Sequence, residues 1–247
     1  MVMVQLLIAV AGLSYNIPLW MFLVPLIPYT FLIIYGSSVI GSQFFMKSSC
    51  RGNEDYEEVA ITFDDGPSPD TTPRILDILK ENEVRAAFFC IGEKAVEHPD
   101  IMKRIADEGH VIGNHSYSHS KFFDFLSHDN MVREIRNTNK AIEKITRKRV
   151  HLFRPPFGVT TPVLAKAVKK AKMTSVGWSL RSLDTTINDP NKLISKIDKK
   201  LKPGDVILLH DTMEVTVNSL QTIINNIDDR GYAILPVDEL LDIHAYV

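Results

Sequence analysis

The chain reads as an α/β protein: an irregular (β/α) barrel of about seven parallel strands, preceded by an N-terminal transmembrane anchor. Three observations predict this. From residue 59 to the end, short β-branched or apolar runs alternate with amphipathic helical stretches, and regular strand–helix alternation implies a parallel sheet. Carboxylate, imidazole and guanidinium side chains recur just after those runs, which suits a barrel whose strand ends share one face. Residues 1–46 contain no Asp, Glu, Lys, Arg or His, the first charged side chain being Lys47.

The uncharged tract comes first. It is costly to expose to water and too long for one core helix, so residues 1–46 are expected in a bilayer. A span needs about 20 residues, which leaves room for two spans turning near residues 14–18, or for one from Leu19 to about Phe44. Pro18, Pro25 and Pro28 are tolerable there and favour a kinked or late-starting helix. No Lys or Arg precedes the apolar run, which argues against a cleaved signal peptide. Residues 47–58 are polar and mixed in charge and read as a linker to the domain at 59–247.

The remaining elements follow in order. A strand is expected over Val59–Phe63, then a helix over Thr72–Asn82 that opens on Thr72-Pro73, a cap and a first-turn proline. The second strand is Ala86–Cys90. A helix over Glu97–Glu108 stops at Gly109, where a left-handed residue is favoured, and Val111–Gly113 is the third strand. Met131–Thr146 is helical, His151–Arg154 is the fourth strand, and Thr161-Pro162 opens a helix to Ala171. Thr174–Trp178 is the fifth strand, followed by a helix over Asn191–Leu201 and the sixth strand, Val206–Leu209. A helix over Val217–Arg230 ends at Gly231, before the seventh strand, Tyr232–Leu235.

Several function classes drop out early. A net charge of −2 gives no electrostatic reason to expect nucleic acid. No GxGxxG or P-loop signature follows any strand, so a nucleotide-binding open sheet is not favoured. Cys50 and Cys90 do not make a disulfide framework, and Cys90 lies in an apolar run as a buried hydrophobe.

The chemistry gathers at five strand ends. After the first comes Thr62-Phe63-Asp64-Asp65-Gly66-Pro67, and after the third Asn114-His115-Ser116-Tyr117-Ser118-His119. The fourth leads into Arg154-Pro155-Pro156-Phe157-Gly158, the fifth into Trp178 and Asp184, and the sixth into Leu208-Leu209-His210-Asp211. His115 and His119 are four residues apart, so on a helical turn both imidazoles would face one ion. Asp65 would complete a two-His, one-carboxylate set that suits one divalent metal, Zn²⁺ foremost, with Co²⁺, Ni²⁺ or Fe²⁺ compatible. Adjacent acids beside an apolar strand need something positive nearby, and a metal with Arg154 would supply it. Asp64 is then free to take a proton from a water activated by the metal, and His210 to protonate a leaving amine. The other histidines, His98, His110, His128, His151 and His244, lie in contexts that suggest no ligand role.

Together these residues resemble the polysaccharide deacetylases that share a NodB-like domain (carbohydrate esterase family 4), over residues 59 to the C-terminus. The 62–67 segment looks like the family's T-F-D-D-G-P element, which implies Asp64 as catalytic base and Asp65 as metal ligand. The 115–119 segment is similar to H-[ST]-x-x-H, implying that both histidines bind metal. The 154–158 segment resembles R-P-P-[YF]-G, implying that Arg154 orients the base and that the Phe157 N–H holds the oxyanion. Leu208-Leu209-His210 resembles L-x-H, implying a methyl pocket at Leu208 and a general acid at His210, tuned by Asp184. Trp178 is grouped with Phe157 and Leu208 as substrate-binding. One element departs: where members often carry D-x-x-D-W, this chain has Arg181-Ser182-Leu183-Asp184-Thr185, so one wall of the groove differs.

The resemblance implies a hydrolase that removes N-acetyl groups from N-acetylglucosamine-type residues of a polysaccharide or oligosaccharide such as peptidoglycan, a chitin-like polymer or an exopolysaccharide. The expected partners are that glycan and the membrane, with the catalytic domain on the periplasmic or extracellular side. Two alternatives use the same fold. One is an amidohydrolase acting on a small cyclic amide or imide, and the other a non-catalytic envelope carbohydrate-binding protein. The sequence leaves the oligomeric state open.

Overall fold

A computed structural model describes residues 20, 23–24 and 26–247. Among these residues eight strands form one parallel sheet: β1 (Glu58–Asp64), β2 (Ala87–Cys90), β3 (Val111–Asn114), β4 (Leu152–Phe153), β5 (Thr174–Ser175), β6 (Leu180–Arg181), β7 (Val206–His210) and β8 (Ala233–Ile234). Seven of them run in the order β5-β4-β3-β2-β1-β7-β6, and β8 adds to the start of β1. The result is a half-barrel, with all strands pointing one way and their carboxyl ends on one face.

Side chains alternate along β1. Val59, Ile61 and Phe63 join the cluster that packs against the surrounding helices. Ala60 faces inward with Ala87, Phe89, Leu152, Val176 and Val206, so the same period of two carries Thr62 and Asp64 to the interior. Each fully buried Phe or Leu contributes about 1.5–3 kcal/mol. Those two layers therefore hold the frame on which the polar residues stand.

The helical layer carries the expected signals with shifted ends. The helix at Pro162–Lys170 is capped by Thr161, whose hydroxyl accepts from Leu164 N. The long helix begins at His128 rather than Met131, because Ser127 caps it through Asn130 N. The helix expected over Glu97–Glu108 runs Pro99–Asp107, and a separate short helix, Gly92–Glu97, precedes it. Pro99 cannot donate a backbone hydrogen bond, so the chain breaks at His98.

Two expectations are corrected by the seam. The fifth strand stops at Ser175, and β6, too short to show a pattern, was not expected. The barrel does not close between β5 and β6, and the segment expected as a linker fills the gap. Ser49 N donates to Ser175 O, Gly177 N donates to Ser49 O, and Gly52 N donates to Gly204 O, all at 2.8–2.9 Å. Arg51 Nη2 lies 2.6 Å from Asp205 Oδ1, which is buried. Cys50 docks here too, and both cysteines are free.

Much of the anchor expected at 1–46 lies outside the described residues. Among those described, no helix is long and apolar enough to cross a membrane. Helix α1 (Leu26–Ser38) has 13 residues, about 20 Å at 1.5 Å per residue, against about 30 Å of hydrocarbon.

Candidate active site

Arg154 is the most deeply placed charge, with no exposed surface. It enters from the end of β4, and its Nη1 donates to Asp64 Oδ1 at 2.7 Å and to Thr62 Oγ1 at 2.8 Å. Nη2 donates to Gly177 O at 2.8 Å, and Nε donates to Val176 O at 3.3 Å. Its guanidinium carbon sits 4.0 Å from the Phe89 ring centre. A buried charge is tolerated when paired and hydrogen-bonded, and here the Asp64 carboxylate pairs with it and each of the three nitrogens has an acceptor. Asp64 Oδ1 is thereby fixed, while Oδ2 faces the histidines, 3.8 Å from His115 Nε2.

His115 is oriented by its own neighbour in the sheet. Its Nδ1 lies 2.9 Å from the Arg154 carbonyl oxygen. A carbonyl only accepts, so Nδ1 carries a proton and Nε2 faces Asp65, donating to it when the ring is protonated and free to offer a lone pair where a metal is bound. Asp65 Oδ1 lies 3.4 Å from that Nε2 and 3.2 Å from His119 Nε2. The helical turn expected for this pair is absent. His115 follows directly on β3, and the chain doubles back through left-handed backbone at Ser116 (φ 63°) and His119 (φ 46°). Glu134 of the long helix holds that turn, its Oε2 accepting from Tyr117 N, Ser118 N and Ser118 Oγ.

The donor set fits a metal ion. One carboxylate and two imidazoles lie within 4.8 Å of one another. Four tetrahedral ligands on bonds of about 2.0–2.1 Å stand about 3.4 Å apart, close to the separations of Asp65 from both histidines. Burial acts to raise the Asp65 carboxyl, but the hydrogen bond from His115 and the charges of His115, His119 and His210 outweigh it. Asp65 is held well below the usual carboxylate range, ready as an anionic ligand.

On the opposite wall stands a second pair. Asp184 Oδ1 lies 2.7 Å from His210 Nδ1, and Oδ2 accepts from the His210 backbone N–H at 2.6 Å. Thr216 Oγ1 and Ser182 Oγ also donate to this carboxylate, at 2.7 and 3.0 Å. Burial would lower the His210 pKa, but the Asp184 hydrogen bond and charge, helped by Asp64 and Asp65, raise it to about 9. His210 is therefore protonated at neutral pH, and an imidazolium with one nitrogen tied back can donate from the other.

The three expected groove residues fall where the strand ends place them. Phe157 follows β4 in left-handed backbone (φ 60°, ψ −2°), a strained conformation rare for a bulky residue. Its ring lies 4.8 Å from that of His119 and is half exposed. Trp178 packs beneath Gly158, so closely that a Cβ there would overlap the indole. Leu208 is buried, in parallel register with Arg181 on one side and Thr62 on the other.

Other residues support the site from outside its motifs or from unremarked positions within them. Lys94 Nζ donates to the Asp65 carbonyl at 2.7 Å, steadying the turn that aims the carboxylate. Thr62 and Ser182 lie inside sequence motifs, but Glu134 and Thr216 give no local signal, because each works through a contact distant in sequence. Asp211 is buried against Gly66 and Thr72, and burial pushes its carboxyl up to about 7.

Fold and site define a class: a hydrolase on a parallel half-barrel, its Asp–His–His set, Arg-held carboxylate and Asp–His pair gathered on one face. A family profile described as polysaccharide deacetylase matches residues 51–176. The chain belongs to the polysaccharide deacetylase family. It is 32% identical to the peptidoglycan-N-acetylmuramic acid deacetylase PdaA of Bacillus subtilis (strain 168), over 77% of this chain and 73% of that protein. Among solved structures it resembles the Bc1960 peptidoglycan N-acetylglucosamine deacetylase, with 31% identity and a TM-score of 0.77, covering 80% of this chain and 94% of that one. It also resembles BA3943 of Bacillus anthracis, described as a CE4 family pseudoenzyme, with 31% identity, a TM-score of 0.73, and coverage of 78% and 68%.

Proposed function

We propose that this chain hydrolyses the acetamide of N-acetylated amino sugars in a glycan, releasing acetate and a free amine. The observation that carries this reading is the convergence at one strand-end face. Asp64, pinned by Arg154 on one oxygen, faces the Asp65–His115–His119 set, while His210 is held by Asp184 across the same opening.

Asp65, His115 and His119 would hold one divalent metal, Zn²⁺ by ligand type. When bound, the ion supplies Lewis-acid polarisation of the acetyl carbonyl and makes the attacking water more acidic. Asp64 Oδ2 accepts the proton of that water as its hydroxyl adds to the acetyl carbon, because Arg154 occupies Oδ1 and leaves Oδ2 as the base. The strained turn at Phe157 supplies a backbone N–H to the developing oxyanion, and Leu208 lines the pocket for the acetyl methyl. His210 Nε2 then delivers its proton to the nitrogen as the C–N bond breaks, and Asp184 stabilises the imidazolium until that moment. Water has then added across the amide.

The uncharged tract at 1–46 supports a membrane anchor, with the domain on the side of the envelope glycans. Both peptidoglycan relatives carry N-acetylated sugar substrates in their names, and the deepest groups of this site are suited to the acetamide rather than to the rest of the sugar.

The test uses the full chain in detergent, stripped of metal and then reloaded with Zn²⁺, on N-acetylglucosamine oligomers. Acetate release that requires the metal and vanishes in Asp64→Asn is the expected result. No release from folded, metal-loaded protein on any N-acetylated glycan would sink the reading and favour a binding role, as in a pseudoenzyme.

A further inference from the structure

The apolar N-terminal tract and the catalytic mouth meet at one place. The last turn of α1 is fastened to the loop that leaves β4, three residues beyond Phe157. There the Thr160 hydroxyl donates to the Gly36 carbonyl at 3.0 Å, and the Thr160 N–H donates to the Ser37 carbonyl at 2.9 Å. Thr160 is buried by this contact, as is Gly36, where a side chain would collide with the Phe44 ring. The rest of α1 stands clear of the domain. Ile27, Phe31 and Ile34 are 68%, 69% and 58% exposed, and the helix has no charged residue. A helix apolar all round belongs in a bilayer rather than in water, and it continues a 46-residue stretch without charge.

A second observation lies on the same face. The loop after His119 leaves the carboxyl end of β3 and presents Phe122 and Phe125, 60% and 86% exposed. Between them Phe123 is fully buried in a cluster with Met131, Phe153 and Leu164, so the loop is anchored and its two outer rings are displayed by the fold. Lys121 places its ammonium 5.2 Å from the Phe122 ring centre. Exposed apolar rings beside a basic side chain suit the boundary between headgroups and acyl chains.

We infer that the strand-end face is held against the bilayer, with Phe122 and Phe125 in the headgroup region. Given the deacetylase reading above, the substrate is then an N-acetylated saccharide carried on a membrane lipid. Such a sugar is presented at the height of the mouth, whereas a glycan strand away from the membrane would have to thread between the face and the lipids.

Orientation is tested in proteoliposomes containing brominated phosphatidylcholine, with the full chain carrying Phe125→Trp or, as reference, Val247→Trp on the exposed C-terminus. Quenching of the added indole at 125, at least several-fold above that at 247, is expected. Equal quenching would overturn the membrane-facing orientation. Substrate class is tested by comparing acetate release from a lipid-linked N-acetylated saccharide in the same vesicles with release from a soluble N-acetylglucosamine oligomer. The Phe122→Ser/Phe125→Ser variant should lose about tenfold in kcat/KM on the lipid-linked substrate and retain its rate on the soluble one. Equal rates on both substrates, untouched by the variant, would overturn the lipid-linked assignment. Failure of wild-type protein on both would strike the deacetylase reading instead, and the quenching measurement would still decide the orientation.

Discussion

His210 and Asp184 are joined twice: Nδ1 of the imidazole lies 2.7 Å from Oδ1, and the backbone N–H of the same residue lies 2.6 Å from Oδ2. The carboxylate thus grips both the ring and the strand that bears it, so position and protonation are set by one group. With the pKa near 9, His210 keeps its proton through neutrality. An acid must be protonated to act, so kcat should hold from neutrality to about pH 9 and fall above it. In Asp184→Asn the falling limb should move toward the ordinary histidine value of about 6.5, and kcat should drop about 10²-fold. A kcat–pH profile checks both, and a limb left near 9 would remove His210 from the acid role.

The same shift has a stability sign. The folded-state pKa is raised, so the pair's contribution is complete below the unfolded value of about 6.5 and fades as pH rises through about 9. Denaturant titrations at pH 6 and pH 10 should show wild type losing stability that Asp184→Asn never had.

Arg154→Ala should be strongly destabilising. It would leave Asp64 buried without its ion-pair partner and free the carbonyls of Val176 and Gly177. Breaking a buried pair costs about 3–5 kcal/mol. Thermal melts should show the loss, and Arg154→Lys should recover only part of it, because one ammonium cannot reproduce the planar fork.

Gly158→Ala tests the strained turn. Gly158 has φ +70°, and a Cβ would meet the Trp178 ring. The expected cost is about 1–3 kcal/mol, with a fall in kcat because the Phe157 amide is displaced. Unchanged kcat in a folded variant would argue against an oxyanion role for that N–H.

Arg51→Ala tests the seam. Asp205 would keep Ser179 Oγ and Lys202 N but lose the Arg51 guanidinium, and a hydrogen bond to a charged group is worth about 1.5–3 kcal/mol. Denaturant unfolding should show a loss in that range if residues 48–52 act as part of the barrel, and almost none if they are a free tether.

Much of this protein was legible in the chain alone. Apolar runs bounded by turn signals located β1 to β4, β7 and β8, most plainly β1, β2, β3 and β7, whose side chains are nearly all buried. The strand-end motifs named Asp64, Asp65, His115, His119, Arg154 and His210, because carboxylate and imidazole beside an apolar run have no packing reason to be there. Other features rest on contacts distant in sequence. Two-residue β6 carries no period. The gap between β5 and β6 is filled by Ser49, whose suitability cannot be judged without Ser175 and Gly177 facing it. The His115–His119 pair looked helical by spacing, yet Glu134 and left-handed backbone at Ser116 and His119 impose a turn instead. The tautomer of His115, the freedom of Asp64 Oδ2 and the raised pKa of His210 depend on Arg154 and Asp184, 39, 90 and 26 residues away. The sequence by itself determined which groups are present and on which strand ends they sit, since burial pattern is local. Only the tertiary structure decided which proton each group holds and which way each faces, since protonation and aim depend on partners brought together by folding.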